Sequence, residues 1–337
     1  MANVRDAITN AVLEADRLHQ QFDTESRADA GDGRIDVYNM FLQRDIPLMF
    51  QPLDGLLGAF IDDPRPGVVV TTQRQLPVQR FTAAHELGHA VLRHSPSLDN
   101  EDILARMPFV NSARYDIQEI QANAFASQLL MPRWLIAKHL EKQAWRPADL
   151  TRPEVVYQLS LRLGASYSAT CHALVRHKVV QKSAYEELLA IQPRAIKQRL
   201  AEPHEPPNWY GDVWRITERD DGLRLEGSRS DLIVLNLTEH SGSGYLWQFD
   251  DLNRIGFNVV WEARSEMSGG ESIGGSVSRT VVAETQDGAK GAVQLCEMRP
   301  WQTNGDPLHS IDLDVDLSGP FGRGLLPAQR QAQLGAA

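Results

Sequence analysis

Cysteine, long apolar runs and, past the midpoint, positive charge are what this 337-residue chain has least of. Its two cysteines, Cys171 and Cys296, stand isolated, so neither a disulfide framework nor a cysteine-rich zinc site can be built, and a reducing cytoplasm is the expected compartment. No stretch approaches the ~18 apolar residues that would span a bilayer, so no membrane role is expected. Met1 to Phe22 set Val4, Ile8, Val12, Ala15 and Leu18 on one side of a surface helix and lack the apolar core of a secretory signal. Residues 201–337 hold only 11 Lys and Arg against 21 Asp and Glu, whereas residues 1–200 hold 23 of each. The acidic half is poorly suited to a phosphate backbone, which argues against nucleic acid as its partner. Of the 24 glycines, 17 fall after residue 200, as do five of the seven tryptophans. Two differently built halves are expected.

What the first half does have is Arg80-Phe81-Thr82-Ala83-Ala84-His85-Glu86-Leu87-Gly88-His89-Ala90-Val91-Leu92. On a helix His85 and His89 lie about 40° apart. Both imidazoles can therefore reach one Zn²⁺, with Glu86 beside them to take a proton from water. Short apolar runs at Pro47–Phe50, Leu56–Ile61 and Gly67–Thr72 predict a small sheet ahead of this helix. The helix is expected to start near Leu76-Pro77 and run to about His94. Thr24–Gly33 is polar and reads as a loop, and Arg34–Leu42 as a short helix.

A third ligand is sought downstream. His94 follows His89 by five residues, with no intervening glycine, and is expected to point about 140° away on the same helix. Glu101 and Asp102 lie in a polar loop. Tyr115 to Pro132 predicts another helix, on which Glu119 shares a face with Ala122, Asn123, Ala126 and Leu130. A carboxylate on such a face needs a partner. Zinc with two histidines and this glutamate is one solution, and an arginine partner is the other. Asp116, a turn earlier, is a candidate for orienting a ligand histidine, and Tyr115 is a nearby candidate to support an oxyanion.

These residues resemble the ImmA/IrrE family of zinc metallopeptidases. The likeness spans roughly residues 35–135, with a helical continuation to about 200, and rests on the paired stretches Arg80–His89 and Glu119–Pro132. It implies a cytoplasmic minimal zincin that cleaves transcriptional repressors or related regulators in stress or mobile-element responses. By position it makes His85, His89 and Glu119 the ligands and Glu86 the general base. Gln121 departs from the acidic residue common in the family.

Pro153 to Val180 predict two helices around Gly164-Ala165-Ser166, similar to a helix-turn-helix. Only Arg176, His177 and Lys178 end the second one, so DNA reading is disfavoured against a helical bundle or a dock for a regulator. Ala201–Pro207 reads as a linker. Eight β-like runs follow between Asp212 and Leu317, the pattern of an immunoglobulin-like sandwich. Ile311, Leu313, Val315 and Leu317 alternate as a strand with one wet face.

Three loops of that half resemble those of the chagasin-like inhibitors of papain-type cysteine proteases: Ser243-Gly244-Tyr245-Leu246-Trp247, Ile273-Gly274-Gly275-Ser276 and Arg299-Pro300-Trp301. The resemblance implies a wedge for a protease cleft, with these loops binding the partner. His240-Ser241-Gly242-Ser243 replaces a stiffer, proline-containing turn of that family.

The expected fold is α+β. A zincin domain (1–145) leads to a helical extension (146–200) and a linker (201–209). An all-β sandwich (210–318) and a disordered tail (319–337) follow. The function expected is zinc-dependent endopeptidase action on a protein regulator, with the sandwich as a binding or regulatory module. Two alternatives stand beside it. One is a binding protein that captures a papain-like cysteine protease on a zinc-domain scaffold. The other is a DNA-associated sensor.

Overall fold

The computed structural model describes residues 4–30, 33–62, 65–100, 116–266, 275–302 and 305–335. The chain opens with α1 (Val4–Gln21), α2 (Thr24–Ala30) and α3 (Val37–Gln43), then β1 (Leu48–Gln51), β2 (Leu56–Ile61) and β3 (Gly67–Thr71). The motif helix α4 (Leu76–Leu92) and β4 (Ser97–Asn100) come next. Six helices follow: α5 (Ile117–Leu130), α6 (Arg133–Gln143), α7 (Pro153–Leu163), α8 (Tyr167–Arg176), α9 (Lys182–Ala190) and α10 (Pro193–Ala201). The β-rich half carries β5 (Val213–Ile216), β6 (Leu223–Glu226), β7 (Leu232–Glu239), β8 (Leu246–Gln248) and α11 (Asp250–Arg254). It continues with β9 (Phe257–Glu266), β10 (Val277–Thr285), β11 (Lys290–Met298) and β12 (His309–Asp316). β13 (Gly324–Leu325) and α12 (Pro327–Gly335) close the chain. The architecture is α+β, as expected, and among the described residues no helix is long and apolar enough to cross a membrane.

Two compact units divide these elements. One comprises Met1–Ala137, Leu163–Ala173 and Pro320–Ala337; the other comprises Lys138–Arg162 and Leu174–Gly319. In the first, a five-stranded sheet runs β13-β1-β3-β2-β4, parallel between β1 and β3 and antiparallel elsewhere. Val68 and Val70 of β3 and Leu57 and Phe60 of β2 are buried. α4 packs on β2 and β3, and α5 packs on both α4 and α1.

Two readings of this unit are corrected. Thr24–Gly33 is not all loop: Asp23 takes a φ of 47°, breaking α1, and the helix resumes as α2 with the Thr24 hydroxyl 2.7 Å from His19 Nδ1. Residues 320–335 are not a disordered tail. β13 pairs with β1, the Phe321 ring stacks on Phe50 at 5.3 Å, and the Phe321 amide donates to Gln79 Oε1 on α4.

In the second unit two four-stranded sheets, β5-β7-β10-β9 and β6-β12-β11-β8, face each other as a sandwich. Ile311, Leu313, Val315 and Leu317 are all buried, so the period-2 reading of the last strand holds. Lys138–Arg162 group with this unit by compactness. Asp220 is one of their ties to it. Its fully buried carboxylate accepts from Arg162 Nε and Nη2 at 3.1 and 2.8 Å, from Gln143 Nε2 at 2.7 Å and from the Thr217 amide at 2.9 Å. Removing one partner of a buried ion pair strands the other. Asp220→Ala should therefore cost about 3–5 kcal/mol, read as a lower denaturant midpoint of the full chain.

Candidate metal centre

α4 begins with a proline in its first turn, where the missing amide hydrogen costs nothing. It is buried all round from Thr82 to His89. Two glycines let its neighbours close in. A Cβ on Gly88 would stand 3.0 Å from Phe125 Cδ1 and 3.3 Å from Ala122 Cα, so α5 can cross close to the histidines. A Cβ on Gly58 of β2 would stand 2.5 Å from Thr82 Cγ2 and 2.7 Å from Glu86 Oε1. Glu86, 0% exposed, is held in that gap.

The structure brings three of the expected residues together. His85 Nε2 and His89 Nε2 are 3.0 Å apart, and Glu119 from the first turn of α5 places Oε2 3.4 Å from the first and Oε1 3.5 Å from the second. All three side chains are buried. Ligands at ~2.0–2.1 Å around a tetrahedral ion are separated by about 3.3 Å, so the two nitrogens and either oxygen of the Glu119 carboxylate lie near the spacing that one metal ion needs.

Hydrogen bonding sets the nitrogen lone pairs the same way. Asn123 Oδ1 lies 3.1 Å from His85 Nδ1. An amide oxygen only accepts, so Nδ1 carries the hydrogen and Nε2 is bare. Gln121 Nε2 donates to the Ala7 carbonyl at 3.3 Å, turning Gln121 Oε1 to within 3.2 Å of His94 Nε2. That nitrogen then holds the hydrogen. Burial keeps the His94 imidazole below its ordinary pKa, and so neutral at pH 7. His94 Nδ1 is left to accept from His89 Nδ1, 3.1 Å away, and His89 Nε2 is bare in turn. Two imidazole nitrogens 3.0 Å apart beside a buried carboxylate are a donor set of the kind that holds a divalent ion.

His94 thus needs correcting. It is not a ligand, but neither does it point away. α4 ends at Leu92, Arg93 takes the left-handed conformation at φ 58°, and the reversal turns His94 back onto His89. Asp116 has a different task from the one expected: its carboxylate caps α5 by accepting from the Gln118 amide at 3.0 Å. Orientation of His85 falls to Asn123, whose only signal in sequence was an amide on an otherwise small and apolar helix face. Tyr115, Glu101 and Asp102 lie outside the described residues.

Of the loop residues in the second unit, Trp301 is 68% exposed and its ring covers Gly244, where a Cβ would meet Cη2 at 2.5 Å. The Arg299 guanidinium lies 4.5 Å from the Tyr245 ring centroid, and its Nε donates to the Ser243 carbonyl at 3.3 Å. Pro300 lines a recess beside Leu246 and Phe249, and Gly275 is exposed ahead of β10. Trp247 is core rather than surface, 3% exposed with Nε1 donating to the Thr238 carbonyl. Gly274 lies outside the described residues.

Residues 43–175 match the family model described as Peptidase_M78, the IrrE N-terminal-like domain. The radiation response metalloprotease IrrE of Deinococcus radiodurans is 28% identical over 165 residues, 48% of this chain and 42% of that protein. The chain therefore spans less than half the length of this relative. Among solved structures, the cysteine protease inhibitor EhICP2 of Entamoeba histolytica aligns over 32% of this chain and 97% of its own, at 22% identity and a TM-score of 0.29. Amebosin aligns over 31% and 98%, at 14% identity and a TM-score of 0.23. The resemblance to the peptidase family thus covers residues 43–175, and the His85, His89 and Glu119 group, which could hold a metal ion, lies within that stretch.

Partners behind a ligand histidine are worth about 10- to 100-fold in metal affinity. Asn123→Ala should weaken divalent-metal binding here by that factor, measured by competition with a chelator of known affinity.

Proposed function

We propose that the chain is a zinc-dependent endopeptidase acting on a protein regulator. Zn²⁺ would be held by His85, His89 and Glu119. The convergence of both Nε2 atoms on Glu119 carries the reading, and the match of residues 43–175 to the IrrE N-terminal-like domain supports it. When bound, the ion supplies Lewis acidity and brings the pKa of water towards neutrality.

The chain's own groups do the rest. Asn123 and His94 fix the ligand tautomers. Glu86, one residue after His85 and closed in by Gly58, takes the proton of the attacking water on a carboxylate oxygen and returns it to the leaving amide nitrogen. The resemblance to the ImmA/IrrE peptidases points to a helix-turn-helix regulator, a transcriptional repressor among them, as substrate class, and to a cytoplasmic stress or mobile-element response.

Glu86→Gln should retain the metal and the fold, lose at least about 100-fold in cleavage rate, and hold its substrate when expressed in its own host. Gly58→Ala, which crowds Glu86 but no ligand, should keep the metal and lose a smaller part of the rate. Undiminished proteolysis by Glu86→Gln would remove this mechanism.

A second reading is favoured by the sandwich, where Arg299 and Trp301 fasten the third loop onto Ser243, Gly244 and Tyr245 of the first. Loops held this way lose little entropy on binding. They would enter the cleft of a papain-like cysteine protease. Papain titrated with the full chain should then be inhibited. Trp301→Ala should weaken inhibition about 30-fold, the loss typical of an aromatic anchor, and no inhibition by the wild-type chain would eliminate this reading.

A further inference from the structure

The sandwich buries two neighbouring carboxylates, Glu239 and Glu297, both 0% exposed, and supplies them differently. Glu239 is matched by guanidinium groups, Arg264 Nε at 2.7 Å and Arg279 Nη1 at 2.6 Å. Among the described residues Glu297 meets neither lysine nor arginine. It accepts from the His240 amide at 2.5 Å and faces two imidazoles. His240 Nδ1 lies 3.1 Å from both carboxylate oxygens, and His309 Nδ1 lies 2.8 Å from Oε2. The rings are 5.4 Å apart and tilted by only 32°.

This trio is built by the sheet. Glu297 and His309 are directly opposed on β11 and β12, and His240 leaves the end of β7 to begin the Ser241–Ser243 turn. A buried carboxylate needs a counter-charge, and neutral imidazoles bring hydrogen bonds without one. One donor atom from each of the three lies within 4.8 Å of the others, and the nitrogen–oxygen separations of 2.8 and 3.1 Å need to open by only a few tenths of an ångström to reach the ~3.3 Å edge of a tetrahedral site. Side-chain exposures of 34% for His240 and 52% for His309 leave water free to complete the shell.

We propose that His240, Glu297 and His309 form a second divalent-metal site at the root of the first and third sandwich loops. Two imidazoles and one carboxylate suit Zn²⁺, or another late first-row ion, over Mg²⁺ or Ca²⁺. The ion clasps the start of the turn that leads to Gly244 to the strand that leads to Arg299 and Trp301. It thereby stiffens a turn that contains no proline.

The test counts zinc in the tag-free full chain after loading with Zn²⁺ and dialysis, comparing wild type with His309→Ala and His240→Ala. Wild type should hold one zinc per chain more than either variant, and Zn²⁺ should raise its melting temperature more. Because His309 is half exposed, its replacement should leave the sandwich folded, as circular dichroism would verify. The comparison is a difference between proteins that share the His85–His89–Glu119 centre, so that centre's occupancy does not affect it. Equal zinc content in wild type and both folded variants overturns the proposal.

Discussion

Two nitrogen lone pairs facing each other across 3.0 Å would repel, and the first unit is built to keep them there. Neither histidine is free to swap its hydrogen to the facing nitrogen. His85 is pinned by the Asn123 amide, and His89 by a relay through His94 to Gln121. With Glu119 adjacent, the three side chains make a donor set that suits a divalent cation. The surroundings thus set the electrostatic character of the site as firmly as the ligands do.

Close approach of backbone is the second requirement. Gly88 lets α5 lie against α4, which brings Glu119 within reach of both imidazoles, and Gly58 lets β2 lie against Glu86. A methyl group at either place would have to displace a neighbour, and cores at near-crystalline density absorb such displacement poorly. The same two glycines that loosen the chain locally make the site tight.

The meeting of His85, His89 and Glu119 was legible in the sequence because residue spacing and helix period are one local geometry: the His85–His89 pair and the Glu119 face follow from 3.6 residues per turn. The sandwich strands were legible for the same kind of reason, with alternation such as Ile311, Leu313, Val315 broken by glycine and aspartate turns. The return of His94 was not, since it depends on a left-handed turn at Arg93, a residue with no special preference for it. Gly58 gave no sign either, because what it makes room for lies on another element. The grouping of residues 138–162 with the second unit rests on pairings distant in sequence, such as those of Arg162 and Gln143 with Asp220 and of Tyr157 with Asp212. Residues 320–335 read as a featureless tail because Gln79, Phe50 and Ile46, the groups they pair with, belong to the opposite end of the chain.

That last pairing has a temporal meaning. The outer edge of β1 is sealed by β13, and Gln79 on α4 is bonded through Phe321, residues synthesised only after the whole sandwich. During translation the leading unit therefore carries an open strand edge until the ribosome has nearly finished these residues. An emerging chain cannot complete its first unit early, and its sandwich is always made by the time that unit closes.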